Sequence, residues 1–280
     1  MAATTPTYTL NDGNVIPAIG FGTYPLDGDE AVTAVAGALE AGYRLVDTAV
    51  NYGNEEAVGE GLRRSGVPRE ELRVTSKLPG RDHGYDDAVA SVRGSVQRLG
   101  LEYLDLHLIH WPNPSVDKYG EAWRALVDLQ QEGLVRSIGV SNFTSGHLRR
   151  IIDDTGVTPA VNQIELHPRF PQEQMRRLHD ELGIRTEAWS PLGKRDAAYD
   201  EPAVAEPAGR LGVTPGQVIL RWHVQIGSLP IPKSGNPERQ RQNLDVFGFE
   251  LTTDEVAAIT ALGDPDGRLF GGDPDMHEEM

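Results

Sequence analysis

The stretch Gly42-Tyr-Arg-Leu-Val-Asp47-Thr-Ala-Val-Asn-Tyr52-Gly-Asn54-Glu55-Glu-Ala-Val-Gly59 decides the reading of this chain. Arg44–Thr48 is a short apolar run that reads as a buried β-strand, and Glu55–Ser65 carries helical periodicity. An acid, Asp47, stands near the strand's end, and a phenol, Tyr52, follows one turn later. The arrangement recurs downstream. Lys77 ends Leu72-Arg-Val-Thr-Ser-Lys77, and His110 ends Leu104-Asp-Leu-His-Leu-Ile-His110. The gaps, 30 residues from Asp47 to Lys77 and 33 from Lys77 to His110, match the length of one strand–helix unit.

Working outward, Tyr8–Ile16 reads as a hairpin turning at Asp12-Gly13. Strands are predicted at Ala18–Gly22, Arg44–Thr48, Leu72–Leu78, Leu104–His110, Ser137–Ser141, Ala160–Leu166, Ile184–Ser190 and Leu229–Lys233. Helices are predicted between them at Glu30–Ala41, Glu55–Ser65, Tyr85–Leu99, Glu121–Glu132, Ser145–Asp154, Gln172–Leu182 and Pro215–Ile226. Eight strands alternating with helices predict an α/β fold, a (β/α)8 TIM barrel. Residues 1–280 are expected to form a single domain. Two segments break the rhythm: Pro191–Leu211, read as an insert, and Gly263–Met280, read as a C-terminal loop over the active-site face. Parallel strands bring their C-terminal ends together, so Asp47, Tyr52, Lys77 and His110 are expected to share one site.

Composition narrows the functions open to such a barrel. The net charge of −16 disfavours nucleic acid and anionic membranes. No apolar run reaches the roughly 18 residues of a membrane helix. Met1–Pro6 has neither the basic nor the apolar region of a secretory leader. The absence of cysteine excludes disulfides, thiolate metal sites and a cysteine nucleophile, and fits an expected cytoplasmic location. His167, His179, His223 and His277 lack metal-ligand spacing, so no metal is expected. Only four lysines stand against 22 arginines, and two of the four, Lys77 and Lys233, end predicted strands.

A phenol, an amine, a carboxylate and an imidazole together match the needs of carbonyl reduction. When hydride reaches the carbon, the oxygen requires a proton. A phenol of ordinary pKa about 10 gives it up poorly near neutrality. A neighbouring ammonium stabilises the phenolate and is expected to lower that pKa, a carboxylate keeps that ammonium charged, and an imidazole polarises the carbonyl. Tyr52, Lys77, Asp47 and His110 supply one group for each role.

At these positions the chain resembles the aldo-keto reductase family. The opening stretch resembles that family's first signature, and Thr75-Ser-Lys-Leu78 and Leu108-Ile-His-Trp-Pro112 match its other two catalytic positions. The likeness continues through Gly139-Val-Ser-Asn-Phe143, Val161-Asn-Gln163-Ile-Glu165, Ala188-Trp-Ser-Pro-Leu192 and Ile231-Pro-Lys-Ser234 to Arg239 and Asn243. It covers about Tyr8 to Leu262, and the short tail resembles the bacterial 2,5-diketogluconate reductase branch.

The resemblance implies NADPH as cofactor, lying across the barrel mouth; the glycine-rich Rossmann fingerprint is absent. It implies that Trp189 stacks on the nicotinamide, that Ser141, Asn142 and Gln163 bind its carboxamide, and that Gly22, Thr23 and Asp47 line the cleft. Ser190 and Leu192 join the cofactor set. Lys233, Ser234 and Arg239 fall where the family holds the adenosine 2′-phosphate, and Asn243 where it contacts adenine; Gln242 departs from a position that is often Glu. Tyr24, Trp111 and His110 are expected on the substrate side, with His83 and Tyr85 bordering the site and His107 structural, on the opposite strand face from His110. The implied activity is NADPH-dependent reduction of small carbonyls, α-dicarbonyls or keto-sugars by a monomer. Two alternatives stand beside it: a non-catalytic NADPH-binding regulatory subunit, and a barrel lyase using Lys77 or Lys233 as a Schiff base.

Overall fold

Side-chain alternation along eight parallel strands sorts this sequence into a barrel interior and a helix-covered exterior. The computed structural model describes residues 5–280; Met1–Thr4, most of the segment read as lacking a leader, lie outside the described residues. A hairpin of β1 (Thr7–Thr9) and β2 (Val15–Pro17) precedes β3 (Phe21–Gly22), β4 (Leu45–Asp47), β5 (Arg73–Leu78) and β6 (Leu104–Ile109). Then come β7 (Val135–Ser141), β8 (Val161–Glu165), β9 (Arg185–Trp189) and β10 (Leu229–Pro230). From β3 to β10 each strand pairs in parallel with its successor. Gly20 N and Gly22 N donate to the carbonyls of Pro230 and Pro232 at 3.0 and 3.1 Å, which closes the barrel.

Leu45, Leu106, Leu108, Val161, Leu229 and Ile231 fill the interior together with Leu10 and Ile16 of the hairpin segment, which plugs the end where the strands begin. Residues of the opposite parity, such as Val46 and Val74, pack outward on Val35 and Leu39 of α1 (Gly28–Ala41) and Val58 and Leu62 of α2 (Glu55–Ser65). The interior is so filled that β7 carries glycine where it passes β8. A Cβ at Gly139 would lie 2.6 Å from the Val161 carbonyl and 2.7 Å from Leu108. With the plug at one end, the opening lies at the strands' C-terminal ends, where Asp47, Lys77 and the residues after β6 emerge.

All eight predicted strands are present, and seven helices match: α1, α2, α3 (Tyr85–Leu99), α4 (Tyr119–Gln131), α5 (Ser145–Thr155), α6 (Glu173–Leu182) and α8 (Pro215–Gln225). Pro191–Leu211 is not a plain insert. Its second half is α7 (Pro202–Leu211), which accommodates Pro207. Beyond β10 come α9 (Pro237–Leu244), capped by Asn236, and α10 (Thr253–Thr260), whose Thr252 and Glu255 form a capping box. Among the described residues no helix is long and apolar enough to cross a membrane.

Gly139→Ala should destabilise the barrel by about 1–3 kcal/mol, because a backbone carbonyl cannot yield as a side chain can. Gly146→Ala, in the exposed first turn of α5 with nothing nearer than 3.9 Å, should be neutral or stabilising by up to about 1 kcal/mol. Thermal melts of the two variants beside the parent protein check the contrast.

Candidate active site

Lys77, the penultimate residue of β5, points inward and is fully buried. Its ammonium donates to Asp47 Oδ1 at 2.5 Å, to the Thr48 carbonyl at 2.9 Å and to Tyr52 Oη at 3.3 Å. Three acceptors match the three protons of an ammonium. Tyr52 is delivered by a 3-10 turn, Val50–Tyr52, that ends at Gly53 with φ +67°. Asn54 clamps this turn, accepting from Thr48 Oγ1 at 2.6 Å and donating to the Leu26 carbonyl at 2.8 Å. His110 follows β6 and sets its ring edge-on to Tyr52, centroids 5.7 Å apart. The four predicted side chains therefore converge.

Their electrostatics depart from expectation in one respect. Burial pushes the Tyr52 phenol above its ordinary value; Lys77 pulls it back, and Asp47 pushes it up again. Lys77 does not bring the phenol below 10, because desolvation outweighs the ammonium. Burial alone would lower Lys77, but Asp47 and Tyr52 hold it above its ordinary value. Tyr52 is therefore a protonated phenol at neutral pH, beside an ammonium ready to stabilise its anion.

Deeper in the barrel, Gln163 Nε2 bridges Asp47 Oδ2 and Glu187 Oε1, each at 2.9 Å. Burial, reinforced by Asp47, pushes the Glu187 carboxyl up to about 8. Kept neutral, Glu187 adds no second negative charge beside the Asp47–Lys77 pair. Ser141, Asn142 and Gln163 already bond among themselves and their neighbours. Asn142 Nδ2 donates to the His110 carbonyl and Ser141 Oγ, and Asn142 Oδ1 accepts from Trp189 Nε1 at 2.8 Å. Gln163 Oε1 is an acceptor that no described group engages. The trio thus offers acceptors, which suits the N–H groups of a carboxamide. Trp189 stacks on Phe270 of the tail, 5.9 Å between centroids and 16° between planes.

A cleft of about 1180 Å³ runs across the barrel mouth from His110 and Trp111 past Gly22, Thr23, Ser190 and Leu192 to Lys233, Ser234, Arg239 and Asn243. Asn142 (φ 62°) and Ser190 (φ 50°) take left-handed backbone conformations beside it, an arrangement that costs energy and recurs at functional sites. The far end is cationic in an otherwise acidic protein: Lys233 and Arg239 have no acidic partner within 4 Å among the described residues. Two unpaired cations and a hydroxyl fit a phosphate group. Among the described residues no group of His, Asp or Glu is set to hold a metal ion.

The tail does cross the active-site face. Leu269 N donates to buried Glu165 Oε1 at 2.6 Å, and the His277 ring packs against Trp111, centroids 4.2 Å apart and planes tilted by 48°. Tyr24 rests on Tyr52, 5.1 Å between centroids. Tyr85 does not border the site: it heads α3 and donates to Asp128 at 2.6 Å. His83 is buried outside the cleft lining, its imidazole pushed down to about 4 by burial. His107 is fully buried in β6, on the opposite parity from Leu106 and Leu108 of the interior. Among the cleft residues that escaped the sequence reading are Lys194, Phe270 and Glu279. Lys194 Nζ sits 4.3 Å from the Phe270 ring. Its scarcity as one of four lysines was the one available signal; nothing local marks the other two.

Comparison with known proteins agrees with this geometry. Residues 18–264 match the Aldo/keto reductase family. The chain is 60% identical over 275 residues to 2,5-diketo-D-gluconic acid reductase B of Corynebacterium sp. (strain SHS752001), covering 98% of this chain and 99% of that protein. It is 45% identical over 268 residues to methylglyoxal reductase DkgA of Escherichia coli (strain K12), covering 95% and 96%. A crystal structure of a Bombyx mori aldo-keto reductase in complex with NADP superposes with a TM-score of 0.91, at 38% identity and 99% coverage of both chains. Tetrad, cleft and sequence agree: the chain belongs to the aldo-keto reductase family.

Proposed function

We propose that this chain reduces small aldehydes, α-dicarbonyls and keto-sugars to alcohols with NADPH, and that Tyr52 is the general acid. The observation that carries the reading is the buried Asp47–Lys77–Tyr52 chain, opening beside His110 into the cleft. Bound there, NADPH supplies the hydride that the carbonyl carbon accepts. His110 orients the carbonyl oxygen toward Tyr52 by hydrogen bonding. The Tyr52 Oη–H bond breaks as the proton passes to that oxygen. Lys77, held charged by Asp47, stabilises the phenolate left behind. Solvent returns the proton after the alcohol leaves.

Gly22, Thr23, Ser141, Asn142, Gln163, Trp189, Ser190 and Leu192 would hold the nicotinamide end. Lys233, Ser234 and Arg239 would take the 2′-phosphate, and Asn243 the adenine. Tyr24 and Trp111 would flank the substrate. The similarity to named reductases of 2,5-diketogluconic acid and methylglyoxal supports small oxygenated carbonyls. Against a Schiff-base lyase stands Lys77 itself, an ammonium committed to three oxygens and not a free amine. We further propose one catalytic barrel domain acting as a cytoplasmic monomer; the cysteine-free composition supports the cytoplasm, and the family resemblance supports the monomer.

NADPH absorbance decay with a panel of small aldehydes, α-dicarbonyls and keto-sugars tests the reading. Turnover is expected with NADPH well above NADH. Lys233→Ala and Arg239→Ala should each weaken NADPH use by about 10- to 100-fold, the worth of a charge-assisted hydrogen bond, and leave NADH nearly unchanged. Equal losses with both cofactors would remove the phosphate assignment.

The raised Tyr52 phenol has a signed consequence. The acid must be protonated to donate, so reduction should hold through neutrality and decline only as pH rises through a value above about 10. The reverse oxidation uses the phenolate and should rise with pH over the same range. Profiles of kcat/KM in both directions check this; a reduction limb falling near pH 7 would contradict it.

A further inference from the structure

We propose that Glu279, the penultimate residue, determines specificity by placing a carboxylate at the carbonyl-binding end of the cleft, where it selects against substrates carrying a negative charge next to the reacting carbonyl. The inference rests on the reductase reading above and deepens it by naming the substrate class.

Glu279 is no loose chain end. Its backbone carbonyl accepts from Gly80 N at 3.1 Å and from Asn113 Nδ2 at 2.6 Å. A Cβ at Gly80 would lie 2.2 Å from that carbonyl, so the loop after β5 is shaped to receive the tail. Neighbouring Glu278 accepts from Ser115 N at 2.8 Å. Held this way, the Glu279 side chain lines the cleft with Tyr52, His110 and Trp111. Its Oε1 accepts from Asn51 Nδ2 at 2.7 Å and lies 2.9 Å from His110 Nδ1. Its Oε2 is buried with no partner among the described residues. With no donor beside it, this oxygen leaves the carboxylate's charge incompletely satisfied at the cleft wall.

Among the described residues no Lys or Arg lies within 4 Å of the Glu279 carboxylate. Lys77 is committed to Asp47, Thr48 and Tyr52, and Arg81 bonds the Asn51 amide oxygen, with Asn51 standing between it and Glu279. Lys194 associates with the rings of Phe270 and Tyr24. Burial would raise the Glu279 carboxyl, but His110, Asn51 and Lys77 together hold it below the usual range, so it is anionic at working pH. A hydroxyl or hydrated carbonyl beside the reacting group can donate to this carboxylate. A carboxylate in the same place meets like charge where water is scarce. A carboxylate several carbons away reaches solvent and escapes most of that repulsion.

The test compares methylglyoxal with glyoxylate, aldehydes whose neighbouring group is a neutral acetyl and a carboxylate. Glu279→Gln keeps the acceptor for Asn51 and removes the charge; Glu279→Asp keeps the charge. The ratio of kcat/KM for methylglyoxal over glyoxylate should fall by about tenfold or more in the Gln variant. It should stay within about threefold of the parent in the Asp variant. An unchanged ratio in the Gln variant, including equal losses on both substrates, overturns the proposal, as does a collapse in the Asp variant. Acetate binding to the enzyme–NADP+ complex, read by tryptophan fluorescence from the cleft, probes the same charge without turnover. The Gln variant should bind acetate about tenfold more tightly, and equal affinity in Gln variant and parent overturns the proposal. Loss of turnover with normal cofactor binding would instead strike the reductase reading, which keeps the two failures apart.

Discussion

The buried contact between Lys77 and Asp47 is the constraint on which the site depends. Two charges removed from water lose several kcal/mol of hydration each, and their attraction returns that loss only with good geometry and further hydrogen bonds. Here Lys77 spends all three donors, and Asp47 is shared between Lys77 and Gln163. An apolar pair of similar volume would stabilise the barrel as well or better. The ion pair is therefore better explained by chemistry than by stability: it fixes a cation beside a phenol. Glu187 shows how finely the interior charge is balanced, since a second ionised carboxylate there would leave excess negative charge without water to screen it.

The barrel gives this pair its reach. Parallel strands closed by Gly20 and Gly22 bring Asp47, Lys77 and His110 to one rim, and the plugged opposite end leaves one mouth for reactants. The tail then returns across that mouth, anchored at Glu165, Trp111, Gly80 and Asn113. The tetrad thus comes from the barrel and its loops, and part of the cleft wall comes from a segment that follows them. Separating the two lets one catalytic constellation meet different carbonyls through changes in the tail alone.

Much of this was legible in the sequence because Asp47, Lys77 and His110 each stand at or near the end of an apolar run, with Tyr52 one turn beyond the first, so strand period and strand end report position directly. Gly139 and Asn142 sit in motifs local enough to read. What failed to read is nonlocal or compensated. Helix α7 was hidden by Pro207, a helix breaker that stands in the middle of this ten-residue helix. Glu187 is an ordinary polar residue in an alternating strand, and only burial beside Asp47 gives it a perturbed ionisation. Glu279 and Phe270 act through a chain reversal that no local pattern announces. The direction of the Tyr52 shift was misjudged because charge neighbours can be inferred from motifs, whereas desolvation requires the packed structure.

The central claim is that Tyr52 performs chemistry and does not merely line a cofactor site. Measuring NADPH affinity and single-turnover NADPH oxidation side by side in Tyr52→Phe tests it most directly. The account predicts cofactor affinity within a few-fold of the parent and an oxidation rate lower by about 10²–10⁴, the span of general acid catalysis. Retention of most of the rate in a folded, cofactor-binding variant would contradict it.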